Sequence, residues 1–119
     1  MLENAYQAKI IKKIKALLPG AMVLKLDSGY MSGIPDLIIL YGKRWAALEV
    51  KRSAKASKRP NQDYFVNKMN LMSFARFIFP ENEEDILNEL QSALKSSRGA
   101  RVPRGKQVPL VKLFGRKAC

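Results

Sequence analysis

Three charged side chains lie in stretches of sequence that are otherwise typical of buried β-strands. Asp36 opens the run PDLIILY, and Glu49 and Lys51 belong to the run WAALEVK. Charged groups are costly to bury unless they are paired or bound to an ion. Two carboxylates and an ammonium group in one place can bind a divalent cation and stabilise charge on a phosphate. We therefore treat these three residues as candidates for catalysis.

Strand geometry predicts that these charges meet. Side chains alternate along a strand with a period of two, so Asp36 shares a face with Ile38, and Glu49 and Lys51 share a face with Ala47. A tight turn at residues 42–44 favours an antiparallel hairpin, which gathers the charges near one end. The alternative is a structural salt bridge between Lys51 and one of the carboxylates at the edge of a sheet.

Two further polar residues fall on the apolar faces of predicted helices. Glu3 lies within the apolar arc of a helix over residues 2–18, and Gln62 lies within that of a helix over residues 60–72. Both are near the starts of their helices and can join the same cluster. Each also has a simpler interpretation: a solvated first turn for Glu3, and a hydrogen bond to the helix backbone for Gln62.

The donor set of this cluster favours a hard cation. Asp36 and Glu49, together with the backbone carbonyl of Val50, provide the oxygen ligands that suit Mg²⁺ or Mn²⁺. Such an ion polarises a phosphodiester and lowers the pKa of a bound water molecule. Lys51 would orient that water, stabilise the developing charge or act as a base. We therefore expect Mg²⁺ or Mn²⁺ as the cofactor.

The amino-acid composition limits which kinds of catalytic site and which binding partners are compatible with this chain. The 119 residues include no histidine and one cysteine, Cys119, which excludes histidine-based triads, intrachain disulfides and nearly all zinc sites. The formal net charge of +12 favours a polyanion, usually nucleic acid. The basic residues that flank the cluster in sequence, and that we expect to hold DNA phosphates, are Arg44, Arg52, Lys55, Lys58 and Arg59.

The predicted elements form one domain over residues 1–95, followed by a basic tail over residues 96–119. Helices are expected at 2–18, at 60–72 and from the acidic run ENEED to about residue 95, and strands at 22–26, 35–41, 45–51 and 74–79. The order αβββαβα predicts an α/β or α+β fold with a small mixed β-sheet flanked by helices. In the tail, VPLVKLF could add an edge strand. No apolar run is long enough to span a membrane, and there is no secretory signal.

The motifs resemble those of a known nuclease family. Gly33-Ile-Pro35-Asp36 followed by Glu49-Val-Lys51 resembles the PD-(D/E)xK signature. The wider layout over about residues 2 to 90, with an early Glu3 and with Gln62 opening the next helix, resembles small stand-alone phage and bacterial members of the VRR-Nuc family.

The resemblance implies a restriction-endonuclease-like core and metal-dependent phosphodiester cleavage. It implies Asp36 and Glu49 as metal ligands and Lys51 as the catalytic lysine. It further implies Glu3 as an accessory acid and Gln62 as a supporting residue. Lys25, on the first predicted strand, would be a further residue of the active site or of the DNA contact.

The function that follows is a structure-specific DNA endonuclease. Similar stand-alone proteins act as homodimers on branched DNA, so we expect a Holliday-junction resolvase in the cytoplasm of a bacterium or of a phage-infected host. The alternatives are a nuclease or nickase acting on flaps and other branches, and a non-catalytic basic domain that binds DNA or RNA.

Overall fold

A computed structural model describes residues 2–27 and 29–95 of the chain. Its helices are α1 (Glu3–Leu17), α2 (Gln62–Met72) and α3 (Glu83–Lys95), and its strands are β1 (Met22–Lys25), β2 (Leu37–Tyr41), β3 (Arg44–Val50) and β4 (Phe74–Ile78). The predicted order αβββαβα is therefore confirmed. The basic tail, including VPLVKLF, lies outside the described residues.

The strands form one mixed sheet in the order β1-β2-β3-β4. β2 pairs antiparallel with both β1 and β3, and Leu37 lies opposite Leu48 in the register of the β2–β3 hairpin. β4 pairs parallel with β3, because α2 carries the chain back across the sheet between them. The hairpin thus has its turn at one end of the sheet and its open end, near residues 36 and 49, at the other.

Helices cover both faces of the sheet. One face packs against the buried arc of α1 and the apolar side of α3, with Leu37, Leu48 and Val50 in the resulting core. The other face carries Ala47 and Ala75, which pack against Val66 of α2. In addition, Tyr6 Oη of α1 donates a hydrogen bond of 2.9 Å to Glu83 Oε1 of α3, and Lys13 forms an ion pair with the same glutamate. These contacts fix α1, and with it Glu3, relative to the sheet.

Two element boundaries differ from prediction in ways that matter for the site. β2 begins at Leu37, so Asp36 lies just before the strand; Pro35 has no N–H group with which to continue the ladder. α2 begins at Gln62 because Asn61 adopts the left-handed conformation, with φ of 75°. Within the described ranges, no helix is long and apolar enough to cross a membrane.

Candidate active site

The open end of the hairpin brings Asp36 against β3. Extending the observed register by one residue places Asp36 opposite Glu49, on the same side of the sheet. Asp36 Oδ2 accepts a hydrogen bond of 3.0 Å from the backbone N–H of Val50. The side chain of Asp36 thus accepts the hydrogen bond that the backbone of the next residue in the ladder would normally accept.

Pro35 has a specific consequence for the carbonyl of Val50. The same register places Pro35 opposite Val50, in a position where the two residues would normally exchange hydrogen bonds. Proline has no N–H, so it cannot donate to that carbonyl. The N–H of Lys51, by contrast, donates to Ile78 on the β4 side. By this register the carbonyl oxygen of Val50 faces the β2 side and receives no ladder hydrogen bond from Pro35, so it can serve as an oxygen ligand for a cation.

Glu49 is buried between α2 and the sheet, and only one of its oxygens is satisfied. Gln62 Nε2 donates a hydrogen bond of 2.8 Å to Glu49 Oε2, and Lys51 Nζ lies 3.6 Å from the same oxygen. Glu49 Oε1 is buried and has no hydrogen-bond partner among the described residues. An orphaned carboxylate oxygen in a buried position is unfavourable unless a cation or a water molecule binds there.

Gln62 and Lys51 connect this carboxylate to the loop of residues 51–61. Gln62 is fully buried, and its Oε1 accepts a hydrogen bond of 2.9 Å from the N–H of Arg59. Lys51 Nζ donates to the carbonyl of Ser57 over 3.2 Å. Gln62 therefore does both things that its position suggested. It accepts a hydrogen bond from the backbone at the start of the helix, and it also orients Glu49 in the carboxylate cluster. The salt bridge between Lys51 and Glu49 is also present, but it leaves Glu49 Oε1 unsatisfied.

Burial shifts the titration of both carboxyl groups. It raises the pKa of Glu49 to about 7, and the nearby charge of Asp36 raises it as well, while Lys51 and Arg59 act in the opposite direction. Burial also raises the pKa of Asp36, against the hydrogen bond from Val50. Both effects reflect the cost of holding two negative charges in a partly desolvated place. A bound cation would offset that cost.

The donor set fits a hard divalent cation with few protein ligands. The described part of the chain contains no group of three or more acidic, histidine or cysteine side chains that could hold a metal. Asp36, Glu49 and the carbonyl of Val50 remain as ligands, and water would complete the coordination of Mg²⁺ or Mn²⁺. Glu3 is exposed, and it lies close enough for its charge to raise the pKa of Asp36. The exposed side chain of Glu3 fits a solvated first helical turn better than it fits direct binding of the cation.

The basic residues do not all lie at this end of the sheet. Arg59 is close enough to act electrostatically on both carboxyls, whereas Arg52 and Lys55 lie exposed on the loop of residues 51–61. Lys58, on the same loop, forms an exposed ion pair of 3.2 Å with Asp63.

Lys25 and Arg44 occupy different positions. Lys25 is exposed at the end of β1 and pairs with Leu37, which places it on the α1 side of the sheet next to the hairpin opening. The expectation that Arg44 flanks the site is wrong, because the antiparallel hairpin places it at the turn, about 20 Å along β3 from Val50. Its guanidinium donates to the carbonyl of Leu94 over 3.3 Å.

A close backbone contact, which the sequence motifs did not reveal, fixes the loop before Asp36. Gly33 has φ of +94°, and a Cβ atom there would lie 2.7 Å from Asn61 Cβ and 3.0 Å from the carbonyl carbon of Asn61. The two left-handed residues therefore pack the Asp36 loop against the start of α2, where Gln62 begins. Asn61 could have been found from its type, since asparagine is among the non-glycine residues most tolerant of this conformation.

Replacing Gly33 with alanine is expected to lower the stability of the domain and to displace Asp36 relative to Gln62. The added Cβ is strained by the positive φ and collides with backbone atoms that cannot rotate away. We expect a loss of about 1–3 kcal/mol in the free energy of unfolding, measured by urea denaturation. The control is Gly20→Ala, which has nearly the same positive φ, +93°, but has nothing within 4 Å of the added atom. Equal losses in the two variants would contradict a role for the Asn61 contact.

Comparison with solved structures finds a match to a VRR_NUC domain, with a TM-score of 0.56 and 22% sequence identity. The match covers 74% of this chain and 91% of the other. No protein-family model matches the sequence, and no curated protein matches it. At this identity the comparison establishes the fold, so the resemblance inferred from the motifs is confirmed at the level of the α/β, restriction-endonuclease-like core.

Proposed function

From a fold shared with a VRR_NUC domain and from the geometry of the buried carboxylates, we propose that this protein is a divalent-metal-dependent DNA endonuclease of the PD-(D/E)xK type. The observation that supports it most directly is Glu49 Oε1, which is buried beside Asp36 and Lys51 and has no hydrogen-bond partner within residues 2–27 and 29–95. A structural salt bridge alone would not require an unsatisfied carboxylate oxygen on a buried strand.

Each residue has a role that follows from its contacts. Asp36, Glu49 and the carbonyl of Val50 would hold Mg²⁺ or Mn²⁺, which supplies polarisation of the phosphodiester and activation of water. Gln62 holds Glu49 in one orientation through the 2.8 Å hydrogen bond. The ammonium of Lys51, anchored between Glu49 and Ser57, can stabilise negative charge that develops on the phosphate. Glu3 would act indirectly, because its negative charge raises the pKa of Asp36.

The substrate we propose is branched DNA, with a four-way junction as the leading candidate and flaps or other branches as the alternative. The loop residues Arg52, Lys55, Lys58 and Arg59 would hold the phosphate backbone, and Lys25 would contact it from the α1 side of the sheet, next to the hairpin opening. Resolving a four-way junction takes two cuts, and one chain supplies one site, so we propose that a homodimer acts. A single cysteine is compatible with a reducing compartment, and we propose the cytoplasm.

The deciding experiment incubates the protein with a four-way junction, a flap and a continuous duplex, each in Mg²⁺, Mn²⁺ or EDTA. We expect cutting of the branched substrates with either metal and none in EDTA. Asp36→Asn should lower the rate of cutting by at least about 10²-fold, while the affinity for DNA stays within about twofold of the wild type. Sedimentation of the complex with the junction should show two protein copies.

Cutting that persists in EDTA would overturn the metal mechanism. Binding without cutting in either metal would instead favour a basic nucleic-acid-binding domain. Loss of binding in Asp36→Asn would show that this residue docks DNA or maintains the fold rather than taking part in the reaction.

A further inference from the structure

A cleft of about 340 Å³ opens beside Lys51, between the loop of residues 51–61 and the edge of β4 that faces away from β3. Its walls include the rings of Phe77 and Phe79 and the small side chains of Ala54 and Ala56. Lys51 lines both the cleft and the cluster of carboxylates. A molecule in the cleft would therefore lie next to the phosphate that the active site cuts.

The lining of the cleft combines aromatic rings with positive charge. Three cationic residues, Lys51, Lys58 and Arg76, contribute to it, and none of the described residues that line it is acidic. Each of the three cations also pairs with a carboxylate outside the lining, on Glu49, Asp63 and Glu89 respectively. Lys58 Nζ lies 4.4 Å from the centroid of the Phe77 ring. A flat ring beside cations suits a group that has a π-face and carries a phosphate, because stacking and charge attraction then act together.

The backbone groups at the edge of β4 are already hydrogen-bonded. Asn82 Nδ2 donates to the carbonyl of Phe77 over 3.1 Å, and Asn82 Oδ1 accepts from the N–H of Phe79 over 2.9 Å. These two bonds hold Asn82 in place and occupy two backbone groups at the edge of β4. The aromatic wall of the cleft offers stacking, which every base can provide.

We propose that this cleft takes an unpaired nucleobase adjacent to the cut phosphodiester, stacked against Phe79, with its phosphate near Lys58, which covers the Phe77 ring. This inference rests on the proposed nuclease function and makes its substrate class more specific. A base within a continuous duplex is stacked in the helix and cannot enter. The preferred substrates are therefore DNAs with unpaired nucleotides at the cut, such as flaps, gaps and the opened centre of a junction.

The test compares binding of a gapped duplex and of a continuous duplex, in EDTA, by fluorescence anisotropy. Ala54 is exposed, so Ala54→Leu should fill the cleft without disturbing the core, and Phe79→Leu should remove a ring but keep the apolar contact. Both variants are expected to weaken binding of the gapped DNA by about tenfold, since stacking contributes roughly 1–3 kcal/mol per base. Binding of the continuous duplex should stay within about twofold. The control is Ala16→Leu, on the exposed side of α1.

A direct measure of stacking uses 2-aminopurine at the unpaired position of the gap. Its fluorescence should fall when the wild-type protein binds and should fall much less with Phe79→Leu. If both variants bind gapped DNA as the wild type does and quench the probe equally, the cleft takes no base, although cutting in Mg²⁺ would still support the nuclease. If the wild type neither binds nor cuts any DNA, the proposed function itself fails, and this inference fails with it.

Discussion

Replacing Lys51 with methionine is expected to slow DNA cutting by about 10²–10³-fold, which is the usual loss when one preorganised charge that stabilises a transition state is removed. The Lys51 ammonium is buried, lies 3.6 Å from Glu49 Oε2 and donates to Ser57. Methionine keeps most of the apolar stem that packs in this position and removes only the charge. Under single-turnover conditions with Mn²⁺, the loss should appear in the rate of cutting at saturating protein.

The matched control is Lys43→Met, an exposed lysine at the hairpin turn, at the opposite end of β3 from the cluster. It removes the same charge from the protein, so any general effect on DNA attraction appears in both variants. A loss of affinity in Lys51→Met that accounts for the whole loss of rate would assign Lys51 to DNA docking. Cutting at the wild-type rate would remove it from the mechanism.

Replacing Glu49 with glutamine is expected to stabilise the metal-free protein at pH 8. Burial raises the pKa of Glu49 in the folded protein to about 7, above its ordinary value of 4.5. The folded state therefore holds a proton that the unfolded state releases, so the contribution of Glu49 to stability is fully present below pH 4.5 and is lost as the pH rises through 7. Glutamine retains an oxygen that can accept from Gln62 and does not titrate.

The measurement is the melting temperature of both proteins in EDTA at pH 5 and pH 8. The stability of Glu49→Gln relative to wild type should increase by about 2–3 kcal/mol between these pH values, which corresponds to a shift of roughly 10 °C for a domain of this size. Adding Mn²⁺ at pH 8 should raise the melting temperature of the wild type much more than that of the variant, because the ion binds the folded state.

The control for this comparison is Glu84→Gln, an exposed glutamate on α3. It should leave both the pH dependence and the response to Mn²⁺ as they are in the wild type. Parallel pH profiles for wild type and Glu49→Gln would show that Glu49 is solvated in the folded protein. An equal response of both proteins to Mn²⁺ would place the ion elsewhere.

Local patterns predicted the elements of the fold. The buried side of α1, with Tyr6, Ile10 and Ile14, follows from a 3.6-residue period in the sequence, and the strands follow from short apolar runs bounded by glycine and proline. The convergence of Asp36 and Glu49 was also predictable, because alternation along two strands and one short turn determine which side chains lie opposite each other. These features depend on residues that are near one another in the chain.

Only the tertiary structure decided how the cluster is completed. The hydrogen bond from Gln62 to Glu49 and the contact between Gly33 and Asn61 join separate segments, so they depend on how the crossover from β3 through α2 to β4 closes. Arg44 shows the converse. It is close to the site in sequence, but the antiparallel hairpin places it at the turn, at the far end of β3.

The sequence by itself determined which chemical groups are present, on which elements they lie and that two carboxylates and a lysine meet at the open end of a hairpin. The tertiary structure decided that one oxygen of Glu49 is buried with no partner in the described part of the chain, and that a cleft lined by Phe77 and Phe79 opens beside Lys51. The physical reason is that burial and cavity shape depend on the packing of several elements at once. Periodicity and motif spacing describe one element at a time.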